Sequence, residues 1–450
     1  MITIKIQSTL RTCIVLVSGF MILFFSESCQ EKKENKQPVS VINTAHLDQL
    51  YEEIRMGDDT VGIVHIYSEY PDYHAVGDKD EGIACVDDAS RAAIFYLLRY
   101  KQTDSLQYFH KGKMLVKFLL AMQADNGYYY NFIWPDGSIN KTGSTSRAEP
   151  SWWAWRSLWA FGVINNYLDH QDMQLSQRIK NQQTRLVHII LKEPQFRSTS
   201  TDTAGGFTVP AWLPKVSGTD QASIISMALL IAAAQEQQSP FRDSIVSFIR
   251  HMTDGIMMMQ THAPDSLEDG AFRSWGNLWH AYGNIQAFTL MTVGQELLDS
   301  TMMQSAIYEV DHFYPAVLKV GGLDHFWLKK NGDQIRRYET AAFNQIAYGR
   351  SPMIWAALQA HALAGEEDKK YLDLACQLAM WFFGENPAKA MMYDPATGRG
   401  YDGINSSTAI NKNSGAESTI ESLLALQALE MYKVYYDADQ KQFKQIVTTE

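Results

Sequence analysis

The chain predicts an all-α fold, an (α/α)6 toroid with short β ribbons at its rim. Two observations predict it. Along the 450 residues an amphipathic helix, a turn, a second amphipathic helix and a longer aromatic-rich, acidic loop recur. The period is about 50–70 residues, the signature of stacked helical hairpins none of which can bury its apolar face alone. One of the opening stretches, Ile224–Ala234, is apolar nearly all round, as expected of a helix covered on both sides and so belonging to an inner layer.

Each element follows from local signals. The opening helices are expected near Asp87, Pro150, Asp220, Trp275, Glu339 and Ser414, and their return partners over 107–123, 172–192, 240–260, 301–318 and 370–384. In the first pair Ile94, Leu97 and Leu98, and then Met114, Leu115, Phe118, Leu119 and Met122, recur at the helical spacing of three and four. The sixth opener, 414–435, has no partner after it, and a helix at about 44–57 has none before it; pairing these two closes a ring. The runs Gly62–Tyr67, Gly206–Trp212 and Leu323–Leu328 have strand-like composition but are short, so they are placed as ribbons between helices.

The amino end reads differently. Lys5 and Arg11 precede an apolar run, Ile14–Phe25, and then Ser26-Glu27-Ser28-Cys29, a charged region and an apolar core too short for a membrane span. The pattern resembles a bacterial lipoprotein signal. The resemblance implies that 1–28 is removed, that Cys29 is acylated, and that the lipid holds the protein at a membrane of the bacterial cell envelope. Gln30–Gln37 is charged and without apolar residues, so 29–43 is expected to be a disordered tether and 44–450 the toroid domain. Of the remaining cysteines, Cys85 and Cys376 can form a disulfide but nothing requires one, and no metal-type spacing occurs. No metal or other cofactor is called for. A formal charge of −11 with no basic cluster in the folded region argues against nucleic acid as a partner.

If the six opening helices form the inner ring, their N-termini meet at one mouth. The residues there are Asp87 and Asp88, Glu149, Trp152 and Trp153, Asp220, Trp275, His280, Tyr338, Glu339 and Glu417. Aromatic faces with carboxylates between them suit sugar rings, whose C–H faces stack on aromatics while their hydroxyls need acceptors. Cleaving a glycosidic bond needs two carboxyl groups, one to protonate the leaving oxygen and one to activate water or to attack. The expected substrate is therefore an oligo- or polysaccharide. Trp152, Trp155 and Trp159 recur at three and four and read as core, which leaves Trp153 and Trp275 as sugar platforms. His280 would lie more than one turn inside its helix, where a buried histidine is usual. Tyr338 and Glu339, ahead of Asn344 and Gln345, would form a polar wall.

The carboxyl end carries a resemblance. Phe383-Gly384-Glu385-Asn386-Pro387, Gly398-Arg399-Gly400-Tyr401 and Ser414-Gly415-Ala416-Glu417 together resemble the closing segment of family 9 glycoside hydrolases. The family's general acid is a Glu at the start of its final inner helix, so the resemblance implies that role for Glu417. Cys85-Val86-Asp87-Asp88-Ala89-Ser90-Arg91 is similar in placement to the family's acidic motif, which implies Asp87 or Asp88 as the base. The same segment looks like the opening of six-hairpin glycosidase-like domains. No histidine follows His361, where the family carries a His-Arg segment, so the resemblance implies the six-hairpin superfamily rather than cellulase-type specificity.

A glycoside hydrolase of the inverting type, with Glu417 as acid and an Asp as base, is the expected function. Polysaccharide lyase or unsaturated-uronyl hydrolase chemistry is an alternative, with Arg147, Arg273 and His280 as candidate groups, and so is a non-catalytic glycan-binding lipoprotein. Capping is the competing account of the acids: Ser414-x-x-Glu417 fits a capping box, and Asp87 and Asp88 fit an N-cap and its dipole-favoured neighbour.

Overall fold

The computed structural model describes residues 40–168, 171–365 and 368–446. The segment 1–28, Cys29 and most of the expected tether lie outside the described residues. After α1 (Ala45–Leu50) come the hairpins α2–α3 (Val86–Thr103, Leu106–Ala121), α4–α5 (Trp152–Leu168, Met173–Lys192) and α6–α7 (Thr219–Gln235, Pro240–Met258). Next are α8 (Gln286–Glu296) with its return pieces α9 (Ser300–Tyr308) and α10 (Tyr314–Lys319), the hairpin α11–α12 (Ser351–Ala364, Lys370–Ala379), and α13 (Ala416–Met431). Glu309–Phe313 joins α9 to α10 as a π-helical segment. Among the described residues, no helix is long and apolar enough to cross a membrane.

The six opening helices form a closed ring in which α2 packs on α4, α4 on α6, α6 on α8, α8 on α11, α11 on α13 and α13 back on α2. The fold is an (α/α)6 toroid. Burial explains which helix goes where. Nearly every residue of α6 and of α13 is buried, whereas α5 buries one stripe, Leu175, Ile179, Leu186, Val187 and Ile190, and leaves its opposite face to solvent.

Three expectations change. The helix at 44–57 stops at Leu50, and Tyr51–Met56 pairs antiparallel with Asp59–Val64 across a turn in which Gly57 takes φ +60°. The helical spacing of Leu47, Leu50 and Ile54 runs into a segment whose partner strand buries Val61, Ile63 and Val64, and the pairing wins. α1 still packs against α13, but this short helix and the ribbons Tyr51–Val64 and Val434–Gln445 replace a sixth full outer helix. The fourth and fifth inner helices begin at Gln286 and Ser351, later than Trp275 and Glu339. Leu278–His280, His325–Asn331 and Gln334–Ala341 form a three-stranded antiparallel sheet there, so His280, Tyr338 and Glu339 stand on strands. Cys85 and Cys376 are both free.

Candidate active site

The first turns of α2 and α13 build the centre of the mouth. Cys85 is the N-cap of α2, its sulfur accepting from the Asp88 amide, so neither Asp87 nor Asp88 is the cap. At α13 the N-cap is Gly415, and Asp402 accepts from the Gly415 amide at 2.9 Å and the Ser418 hydroxyl at 2.6 Å. Ser414 donates to the Gly400 carbonyl. The capping box is not formed, which leaves Glu417 available for another partner.

That partner is Arg91, one turn into α2. Its Nη2 lies 2.9 Å from Asp87, 2.6 Å from Asp88 and 3.0 Å from Glu417, while Nη1 lies 2.9 Å from Glu421, one turn beyond Glu417 on α13. Asp87 meets a second guanidinium through Arg156 Nε of α4 at 2.8 Å. Arg156 also donates to the Tyr348 hydroxyl, and Ser351 donates to Glu421. One oxygen each from Asp87, Asp88 and Glu417 fall within 4.8 Å of one another, a grouping able to grip a cation. The cation they grip is Arg91.

Access differs among the acids. The side chains of Asp88 and Glu421 are buried, Asp87 is 21 % exposed and Glu417 46 % exposed, so Glu417 is the most open of the four. Burial pushes the Asp88 carboxyl up to about 7, against the pull of Arg91 and with Glu417 and Asp87 pushing the same way. Crowding by protein likewise raises Glu417, Arg91 again pulling down and Asp87 and Glu421 adding to the rise, while its open side tempers the effect. A helix N-terminus favours the ionised form; here the surroundings outweigh it. Desolvation opposes the charge of Arg91, but Asp87, Glu417, Asp88 and Glu421 around it hold it protonated.

The other side of the mouth comes from the loops before α6 and α8. Asp220, in the first turn of α6, is buried and its Oδ2 lies 3.4 Å from His280 Nε2. His280 is stacked on Tyr282, centroids 4.0 Å apart, with Trp275 at 4.5 Å. Trp275 and Tyr282 are 37 % and 41 % exposed. Gly283 takes φ +75°, and a Cβ there would lie 3.3 Å from Trp152, 3.4 Å from the Tyr348 hydroxyl and 3.5 Å from Asp220, so this turn joins the two sides of the mouth.

The remaining expected residues are spread out. Trp153 is buried and its indole N–H donates to the Tyr129 and Arg147 carbonyls, which leaves no open face for a sugar; its neighbour Trp152, assigned to the core, is the one at the mouth, under Arg156. Glu149 pairs with Lys215 at the rim. Tyr338 is 59 % exposed, and Glu339 stands 3.9 Å from His325. Arg273 donates to the carbonyls of Met259, Gly276 and Met258 and pairs with no carboxylate among the described residues. Sequence reasoning missed Arg91, Arg156, Glu421 and Tyr348. A usable signal exists for two of them: Arg91 follows Asp87 and Asp88 at four and three, and Glu421 follows Glu417 at four, so each shares a helix face with an expected acid.

No protein-family model and no curated protein matches the chain. Solved structures do. It is similar to cellobiose 2-epimerase from Bacillus thermoamylovorans (TM-score 0.58, 10 % identity, covering 87 % of this chain and 96 % of that one). It is also similar to a sugar epimerase from a ruminal bacterium (TM-score 0.56, 12 % identity, covering 87 % and 96 %). A third is a family 76 glycoside hydrolase from a bovine Bacteroides thetaiotaomicron strain (TM-score 0.51, 13 % identity, covering 87 % and 78 %). At these identities the likeness is one of fold: the chain shares the six-hairpin toroid of these enzymes.

Proposed function

We propose that this protein is a glycoside hydrolase acting on an oligo- or polysaccharide, with Glu417 as general acid and Asp87 or Asp88 as its carboxylate partner. One observation carries the reading: the three carboxyls meet at one mouth, the most open of them raised toward the protonated state a general acid needs. The toroid is also the fold of sugar-processing neighbours, among them a family 76 glycoside hydrolase. The expected course is the inverting one. An inverting pair leaves roughly 6.5–9.5 Å for a water and a retaining pair roughly 5–5.5 Å. Here the nearest oxygens of the three acids lie within 4.8 Å because all reach the Arg91 guanidinium, so this distance assigns neither course.

Of the groups considered for uronate chemistry, Arg273 is engaged by backbone carbonyls and Arg147 donates to the Thr142 carbonyl, which leaves His280. A second reading, epimerisation or isomerisation of a reducing sugar, is favoured by the His280–Asp220 contact at the same mouth, since proton transfer beside a carbonyl calls for a positioned base. Incubation with a panel of neutral glycans separates the readings. New reducing ends mean hydrolysis, a changed sugar with no new ends means epimerisation, and retention without turnover means binding alone. Glu417→Gln and Asp87→Asn should each lower turnover by about 100-fold or more while leaving binding. Full activity in both refutes the assignment, and proton NMR of the first-formed anomer decides between retention and inversion.

The same proposal places the enzyme on the bacterial cell envelope through lipid on Cys29. Metabolic labelling with an alkyne fatty acid should be lost in Cys29→Ser and kept in Cys13→Ser.

A further inference from the structure

We propose that a second hollow on the rim, beside the carboxylate cluster, is a subsite for a sugar unit that is not itself cleaved, so that the substrate is a chain of sugars rather than a single one. This rests on the carbohydrate reading above and assigns a place on the rim to a part of the chain that is not cleaved. The hollow is an open one of about 550 Å³, inside the roughly 300–1,000 Å³ usual for small-molecule sites, and Lys79, Asp80, Glu81, Trp134, Thr142 and Thr145 line it.

Its walls are held by local hydrogen bonds. The Asn140 carboxamide donates to the Asp80 and Glu81 carbonyls at 3.0 and 3.2 Å and accepts from the Thr142 and Gly143 amides at 3.3 and 2.9 Å, tying the two lining loops together. Glu81 accepts from the Thr145 hydroxyl at 2.9 Å and from the Tyr67 hydroxyl at 3.1 Å. Gly82 takes φ +119°, and a Cβ there would sit 2.0 Å from the Ile133 carbonyl oxygen, so the loop carrying Asp80 and Glu81 lies against the backbone just before Trp134. The hollow is therefore pre-formed, which lowers the ordering cost of binding.

It is also joined to the reaction centre on two sides. The buried side chain of Asn131 donates to the Thr145 carbonyl at 3.1 Å and accepts from the Asp87 amide at 3.3 Å, so one side chain spans from the hollow's wall to the start of α2. On the other side Tyr67 sits between Ile66 and Ser68, whose carbonyls accept from the Ala416 and Ser414 amides at 3.0 and 2.9 Å, next to Glu417. A chain bound at Asp87 and Glu417 has this hollow as its neighbour. Trp134 offers an indole face for the C–H side of a pyranose, and the Asp80 carboxylate, Lys79 ammonium and Thr142 hydroxyl offer acceptors and donors for its hydroxyls. The charged lining, Lys79 against Asp80 and Glu81, is net acidic and disfavours an anionic sugar, so a neutral one is the ligand to test.

The test measures kcat/KM and calorimetric affinity of the full protein on neutral manno- and gluco-oligosaccharides from disaccharide to hexasaccharide. The wild type is compared with Trp134→Ala and, because that change can perturb the loop, with Thr142→Val; thermal unfolding confirms that each is folded. The expected loss grows with chain length and reaches about tenfold for Trp134→Ala on the hexasaccharide. Loss that is equal at every length, or no loss in either variant, overturns the subsite. Binding of the hexasaccharide without turnover, still weakened by Trp134→Ala, supports the subsite while refuting the hydrolase. A wild type that binds none of the series refutes the subsite.

Discussion

The two sides of the mouth are built on opposite principles. On the α2 and α13 side four carboxylates, Asp87, Asp88, Glu417 and Glu421, share the single guanidinium of Arg91, with Arg156 as a second cation on Asp87. On the α6 and α8 side His280 lies among the rings of Tyr282 and Trp275, with the buried Asp220 Oδ2 3.4 Å from its Nε2. The first side is held by electrostatics in a low-dielectric setting, where every member depends on the others; the second is held by packing, where members are replaceable. Under the proposed function the first side carries the acid and its carboxylate partner, and the second supplies ring faces and the His280–Asp220 contact.

The largest expected effect tests that dependence directly. Arg91→Ala removes the cation that serves Asp88 and Glu421, both buried, and should lower unfolding free energy in urea by roughly 3–5 kcal/mol. Arg91→Lys should recover only part, since one ammonium cannot reach four carboxylates spread over two helices. A loss below about 1 kcal/mol in Arg91→Ala breaks the comparison.

A middle-sized effect lies in pH. Burial first, then Glu417 and Asp87, push Asp88 up to about 7, with Arg91 opposing, so the folded chain keeps a proton there that the unfolded chain has lost. The contribution to stability is fully present below the unfolded value of about 4 and declines as pH rises through about 7. In Asp88→Asn that decline is absent, so the denaturation midpoint should change less between pH 5 and pH 8 than in the wild type. An unchanged slope would mean that Asp88 does not hold its proton.

The smallest effect belongs to the packed side. His280→Gln gives up the ring stacking and the Asp220 contact and should cost about 1–2 kcal/mol, read from the same urea curves. A loss as large as that of Arg91→Ala would make the two sides equivalent and remove the distinction.

What was legible can be argued from particular residues. The helical period of Ile94 to Met122, and the all-round apolarity of Ile224–Ala234, are local, and the helices they imply are present. The acids at helix starts were legible for the same reason, since Asp87, Asp88, Asp220 and Glu417 all stand in first turns. Trp153 was misplaced because spacing tells which residues share a face and not which face looks inward; the mouth took Trp152.

By itself, then, the sequence determined the hairpins, the inner layer and the set of acids gathered at helix starts, because the period of an apolar stripe is a property of neighbouring residues. Only the tertiary structure decided that His280, Tyr338 and Glu339 ride on a sheet, since Leu278–His280 finds its partner strand at His325–Asn331. It alone decided that Arg91 bridges to Glu417 across 326 positions. Such pairings are settled by which buried charges and backbone groups find partners once the ring closes, and no window of sequence contains both members.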